Sequence, residues 1–265
     1  VPADVVARMR GLLPDAARFW TPYGATECLP VAVIEGRELV TLRDRTAAGA
    51  GTCVGRPVPP NEVRIIGITD EAIADWSDAR PVKPGQVGEI TVAGPVATDA
   101  YFRRDAQTAL AKIREGGGAG RTVHRMGDLG YFDAEGRLWF CGRKSQRVVT
   151  AGRTLCTEQV EPVFDAHPEV RRTALVGIGE RGAQRPLLCV ELRPGTPKRE
   201  RARIAGELRH IGEGHVHTAC VDSFAFHPAF PVDIRHNAKI GRETLAAWAE
   251  RELRAGRVFA PATPA

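Results

Sequence analysis

Apolar residues recur at helical spacing near the start of the chain, at Val5, Val6, Met9, Leu12 and Leu13, which predicts a helix over residues 3–13. Arg18-Phe19-Trp20 reads as a short strand leading into the loop Thr21-Pro22-Tyr23-Gly24-Ala25-Thr26-Glu27. From about residue 30 to 142, strand-like segments follow one another between glycines and prolines. Glu62–Ile66 and Gly88–Val92 alternate polar and apolar residues as half-buried strands do. One helix, over about 104–115, interrupts the series. Tyr131-Phe132 and Arg137-Leu138-Trp139-Phe140 flank Asp133-Ala134-Glu135-Gly136, which predicts a hairpin with the glycine at a positive φ. After Gly142-Arg143 the rhythm changes to strand 147–150, helix 157–166, strands 171–178 and 186–193, helix 198–210, strand 220–225 and helix 242–255. Such mixing predicts a separate α+β unit, with the boundary near Arg143-Lys144-Ser145.

Composition narrows the class. Among 265 residues, 43% are hydrophobic and 26% charged, which excludes a disordered tail or a collagen-like fibre. No apolar run approaches the roughly 18 residues of a membrane helix, and no basic stretch followed by an apolar one opens the chain. A cytoplasmic protein that is not integral to a membrane is therefore expected. The chain starts at a valine directly in a helical pattern, as a piece of something longer would. Six cysteines without a Cys-x-x-Cys pair point to reduced thiols. The net charge of +5 comes from evenly spread basic residues with few aromatic neighbours, so nucleic acid is not an expected partner. Only five of the 37 basic residues are lysine (83, 112, 144, 198 and 239), so each lysine stands out.

Four segments carry candidate chemistry. Tyr23-Gly24-Ala25-Thr26-Glu27 offers a ring, a hydroxyl and a carboxylate, which suit a base, a phosphate and Mg²⁺; a surface turn beside a buried tyrosine would give the same pattern. Asp128 stands between Gly127 and Gly130 just before the hairpin, where it can accept from two sugar hydroxyls or simply make a turn. Arg143 ends the second hairpin strand within reach of the same ligand, or is an ordinary basic strand end. Lys239, in Asn237-Ala238-Lys239-Ile240-Gly241-Arg242, is a compact cation able to follow charge building on an oxygen, or a surface lysine.

Taken in order, Tyr-Gly-Ala-Thr-Glu, then Gly-Asp-Leu-Gly-Tyr-Phe-Asp-Ala-Glu-Gly, Gly-Arg-Lys-Ser with Ala-Gly-Arg, and Ala-Lys-Ile-Gly-Arg resemble the later core motifs of the acyl-adenylate-forming, AMP-binding superfamily. The resemblance spans about residues 20–255. It implies an α/β and α+β architecture: residues 1–143 as the end of a large N-terminal domain with its small β-rich subdomain, and residues 144–265 as a mobile C-terminal α+β domain. It implies ATP and Mg²⁺ as cofactors. It further implies that Tyr23 stacks on adenine, Thr26 contacts phosphate, Glu27 binds Mg²⁺, and Asp128 with Arg143 holds the ribose. Lys239 would be the catalytic lysine, Ser145 the hinge and Gly152 part of the loop that approaches the acyl site. The family's glycine-rich phosphate loop is not among these residues, so the chain resembles a C-terminal half and is expected to be inactive alone.

Departures from the family pattern bear on the reaction. Ala238 replaces the glycine before the catalytic lysine, Ala151 replaces the first glycine of a Gly-Gly pair, Ser145 stands at the hinge, and Pro231 lies eight residues before Lys239. The segment Pro231–Ile240 resembles the bacterial olefin-biosynthesis β-lactone synthetases. That implies activation of a long-chain β-hydroxy acid as acyl-AMP, then closure to a β-lactone with loss of AMP, and association with other enzymes of the same pathway. A long-chain fatty acyl-CoA or acyl-AMP ligase, and a non-catalytic nucleotide-binding or assembly module, are the alternatives. Separately, His210, His215, His217, Cys220 and His227 crowd one region, with His215 and His217 on one face of an expected strand, a pattern that could hold zinc.

Overall fold

The computed structural model describes residues 3–117, 120–233 and 236–261. The chain divides into two units, Val1–Arg45 with Gly51–Ser145, and Thr46–Ala50 with Gln146–Ala265. The division falls two residues beyond the boundary expected after Arg143.

The first unit begins with α1 (Ala3–Arg10), which is shorter than predicted because Gly11 and Pro14 do not continue it. The hairpin β1 (Trp20–Ala25) and β2 (Cys28–Glu35) follows, so Thr21–Ala25 is strand and only Thr26-Glu27 form the turn. Two helices absent from the sequence reading come next, α2 (Gly36–Thr41) and α3 (Arg43–Ala47). The Glu35 carboxylate caps α2 by accepting the Arg37 N–H at 2.7 Å. Then come β3 (Thr52–Pro57), β4 (Glu62–Ile66), β5 (Gly88–Ala93), α4 (Asp105–Ala111), β6 (Lys112–Glu115), β7 (Arg121–Phe132) and β8 (Leu138–Arg143). The helix predicted over 104–115 therefore stops at Ala111. Residues 112–115 instead pair with β7 and bury Lys112 and Ile113, and this ladder outweighs their helix propensity. The strands form one antiparallel sheet in the order β1-β2-β3-β8-β7-β5-β4, with β6 also on β7. Cys28, Ala32, Ile90, Val92, Met126 and Leu138 pack together in its core.

The second unit holds β9 (Val148–Val149), β10 (Thr154–Leu155), α5 (Thr157–Asp165), β11 (Val170–Ile178), β12 (Arg185–Leu192), α6 (Arg201–Glu213), β13 (Phe224–Phe226), β14 (Val232–Asp233), β15 (His236–Ile240) and α7 (Arg242–Arg254). A sheet in the order β11-β12-β13 lies at its centre. Leu175, Leu188 and Val190 pack with Val160, Val163 and Phe164 of α5 and with Ile204 and Leu208 of α6. The intervening residues Ala174, Val176, Leu187 and Cys189 pack with Leu245 and Ala249 of α7. The period-two pattern thus puts α5 and α6 on one face and α7 on the other. The strand predicted over 220–225 is confined to Phe224–Phe226. All six cysteines are free.

Candidate functional site

The polar centre of the first unit is Asp128. β7 bulges just before it, where Gly127 takes a φ of +64°, a conformation that suits glycine and re-aims the next side chain. Asp128 lies opposite Arg143 across the β7–β8 hairpin, with Arg143 Nε 3.2 Å from Oδ1. The Tyr23 hydroxyl donates to Oδ2 at 2.7 Å. Three strands separate β1 from β7 in the sheet order, so the sheet curls to bring them together. The Tyr23 ring also lies 5.9 Å from that of Phe140. Gly24 is needed beside it, since a Cβ there would fall 2.4 Å from the Cys28 carbonyl oxygen.

Asp128 is only 3% exposed, and its Oδ1 accepts no hydrogen bond among the described residues. Burial pushes its carboxyl above the ordinary aspartate value against the opposing pull of Arg143 and Tyr23. Burial, reinforced by the Asp128 charge, also pushes the Tyr23 phenol up, so Tyr23 is a neutral donor. Arg143 is half-exposed at the mouth of this group. The result is a buried acceptor with a guanidinium beside it and one oxygen free to take a donor, which suits a hydroxyl-bearing ligand.

Thr26 and Glu27 sit at the β1–β2 turn, Thr26 exposed and Glu27 half-buried. Partial burial works against a charge on Glu27. Its own backbone N–H, the Tyr101 hydroxyl, and His124 and Lys112 outweigh that, and hold the carboxyl below the ordinary glutamate value. A hydroxyl and an ionised carboxylate make an all-oxygen donor set, which fits Mg²⁺ shared with substrate phosphates. Ser145 is exposed in the helical turn Lys144–Gln146 at the end of the first unit. In front of it, Lys144 pairs with the buried Glu89 at 2.9 Å.

The remaining two residues lie in the second unit. Gly152 is exposed in a turn where Thr150 Oγ1 accepts the Gly152 and Arg153 N–H groups. Lys239 is exposed on β15, which pairs with β14; residues 234–235 of that hairpin lie outside the described residues. Two residues beyond the lysine strand, Arg242 opens α7 and clamps Glu161 of α5 with both Nη groups. The end of the Lys239 strand is thereby tied to the core of its unit.

The histidine reading is corrected. His215 and His217 lie in turns, not on a strand. Their rings are 5.7 Å apart, but His217 Nε2 bonds the Gln159 carbonyl, and no third ligand atom joins them among the described residues. Among the described residues, the one group of potential ligands that does converge is His167, Glu169 and Glu207. Arg203 already supplies the positive charge to both carboxylates.

Tyr101, Thr98 and Glu89 stand in no motif of the sequence, and Lys112 stands out only as one of five lysines.

Residues 1–102 match the family described as AMP-binding enzyme. The chain is 64% identical over 254 residues to an olefin β-lactone synthetase of Xanthomonas campestris pv. campestris, covering 95% of this chain and 46% of that protein. By these two matches the chain is similar to AMP-binding enzymes. A second olefin β-lactone synthetase, from Stenotrophomonas maltophilia, is 63% identical over 96% of this chain and 46% of its own length. The chain thus spans about half the length of those two relatives. Among solved structures, the amide bond synthetase McbA from Marinactinospora thermotolerans matches with a TM-score of 0.68 at 25% identity, over 94% of this chain and 45% of that one. The O-succinylbenzoate CoA synthetase of Bacillus subtilis, in complex with AMP, matches with a TM-score of 0.65 at 21% identity, over 92% and 44%, and so shares the fold. Among the described residues no helix is long and apolar enough to cross a membrane.

Proposed function

We propose that this chain is the C-terminal half of a cytoplasmic, ATP- and Mg²⁺-dependent adenylate-forming enzyme. It activates a long-chain β-hydroxy acid as acyl-AMP and closes it to a β-lactone. The observation that carries this reading is the 64% identity to an olefin β-lactone synthetase, which runs through 95% of the chain. The Asp128 group supports the nucleotide side of it. Asp128 accepts the ribose hydroxyls, Arg143 balances its charge, Tyr23 covers the adenine and Thr26 bonds phosphate.

In the first step the acid's carboxylate oxygen attacks the α-phosphorus of ATP and pyrophosphate leaves. Negative charge gathers on the attacking and phosphoryl oxygens, and the Lys239 ammonium meets it. Glu27 would hold Mg²⁺, which would supply further neutralisation of that charge. In the second step the substrate's β-hydroxyl attacks the acyl carbonyl, forming the ring C–O bond as the bond to AMP breaks, and its proton is released to water. Residues 144–265 are the mobile domain that turns about Ser145 to bring Lys239 to the nucleotide, with Gly152 on the loop that approaches the acyl site.

The test uses the full-length enzyme with ATP and a β-hydroxy acid, with and without CoA. Lactone formed without CoA is expected, and a CoA-dependent thioester with no lactone would select the acyl-CoA ligase instead. Lys239→Ala should lower ATP–pyrophosphate exchange about 100-fold or more; unchanged exchange removes Lys239 from the chemistry and favours a non-catalytic module. The 265-residue chain alone should show no exchange.

A further inference from the structure

Two cations and one carboxylate are packed against the loop between β4 and β5, and none of the three has a role in the reaction described so far. β5 is buried at every position, so the Glu89 carboxylate in it is shut off from water and must be met by the protein. Arg125 of β7 meets it, with Nη2 and Nε donating to Oε2 at 2.6 and 3.2 Å. The same guanidinium donates through Nη2 to the Thr69 carbonyl oxygen and through Nη1 to that of Glu71, both at 2.7 Å. The Lys144 ammonium completes the group: it stands 2.9 Å from Glu89 Oε1 and donates to the Thr69 carbonyl oxygen at 3.0 Å.

The charge balance separates the two cations. Arg125 alone neutralises Glu89 through two hydrogen bonds, so the buried charge stays partnered without the lysine. What Lys144 adds is a tether on its own stretch of chain. Arg143, the residue before it, pairs with Asp128 at 3.2 Å, so two consecutive residues are bound to two different carboxylates of the first unit. Ser145 follows directly, exposed, and the first unit ends there. In a chain that otherwise prefers arginine, a compact ammonium fits where the Arg125 guanidinium already occupies the space beside the Thr69 carbonyl.

We propose that Lys144 is a positioning residue: it fixes the point at which the chain leaves the first unit, so that turning of the second unit begins at Ser145 and not earlier. The proposal rests on the reading of Ser145 as the hinge. Without the Lys144 tether the pivot would spread over residues 144–146, and Lys239 would reach the nucleotide less often in the right place.

The full-length enzyme is given nitroxide labels on ketone-bearing residues placed at the exposed positions Ala134 and Glu180, one in each unit. Pulsed electron paramagnetic resonance reads their separation with and without ATP and Mg²⁺. Wild type should shift to a narrow distribution when ATP is bound, and Lys144→Met should broaden it. In the same variant kcat for ATP–pyrophosphate exchange should fall about 10–100-fold, while KM for ATP, ATP affinity and Tm stay at their wild-type values. If Lys144→Met does not fold, Lys144→Gln, which loses the charge but keeps a donor, carries the same test. A wild-type distribution that is identical with and without ATP overturns the hinge reading and this proposal together. A wild-type shift that Lys144→Met reproduces at unchanged width overturns the tether and leaves the hinge. A parallel fall of ATP affinity and Tm in Lys144→Met makes the lysine structural and also overturns the proposal.

Discussion

Asp128 in the first unit and Glu161 in the second are both buried carboxylates that face an arginine, yet their surroundings differ. Glu161 is fully partnered: Arg242 donates through both Nη groups, one at 2.8 Å to Oε2, and the Leu175 N–H donates to Oε1 at 2.8 Å. Arg242 is itself largely buried. Asp128 has the Tyr23 hydroxyl on one oxygen, nothing hydrogen-bonded to the other among the described residues, and a half-exposed arginine beside it. A carboxylate whose acceptor positions are all used by the protein holds the fold together. One that is buried with an oxygen to spare can take a donor from outside the chain.

The largest expected effect tests the closed pair. Arg242→Met leaves the Glu161 charge buried and uncompensated, and should lower the unfolding free energy by about 3–5 kcal/mol in urea titrations. The double variant Glu161→Leu with Arg242→Met, which removes both charges, should recover most of that loss. A single variant as mild as a surface substitution would erase the contrast between the two carboxylates.

The two groups were not equally legible in the sequence. Asp128 and Arg143 flank one hairpin, and the turn residues between them predict the pairing of its strands, although a bulge at Cys141 shifts the register by one residue and brings Arg143, not Gly142, opposite Asp128. The α5, α6 and α7 helices and the β11–β12 pair were likewise readable, because each side chain's face follows from local periodicity. Only motif order links Tyr23 to Asp128 in the sequence. Their contact across 105 residues depends on the curl of a sheet, which no local pattern encodes. The same holds for Glu161 with Arg242, 81 residues apart. Residues 112–115 have a weak local preference for helix that strand pairing overrides.

A smaller effect sharpens the comparison within the second unit. Asp165 lies near Glu161, with Thr173 Oγ1 donating to its Oδ1 at 2.9 Å. Burial first, then the Glu161 charge, pushes its carboxyl up to about 7. The folded form therefore keeps a proton that the unfolded chain gives up at the ordinary value near 3.8, and stability falls as pH rises from about 4 to 7. Asparagine mimics the protonated acid and accepts the same Thr173 bond. Asp165→Asn should match wild type near about pH 4 and exceed it above about pH 8 by on the order of 3 kcal/mol. Identical pH profiles of thermal unfolding for the two proteins would show that Asp165 is ionised in the fold and fully accommodated.

The smallest effect on stability is expected where the reading demands the largest effect on ligand. Burial raises the Asp128 carboxyl, so the fold resists its charge, and replacing that charge does not weaken the structure. Asp128→Asn keeps the shape and still accepts the Tyr23 bond. Its unfolding free energy should change by less than about 1 kcal/mol, with any change toward greater stability. A hydrogen bond to a charged acceptor contributes about 1.5–3 kcal/mol, so AMP affinity measured by calorimetry on the full-length enzyme should fall about 10–100-fold. Loss of stability with AMP affinity retained would place Asp128 with Glu161 among the groups that hold the fold. Loss of affinity alone would mean that the spare oxygen is the ligand's.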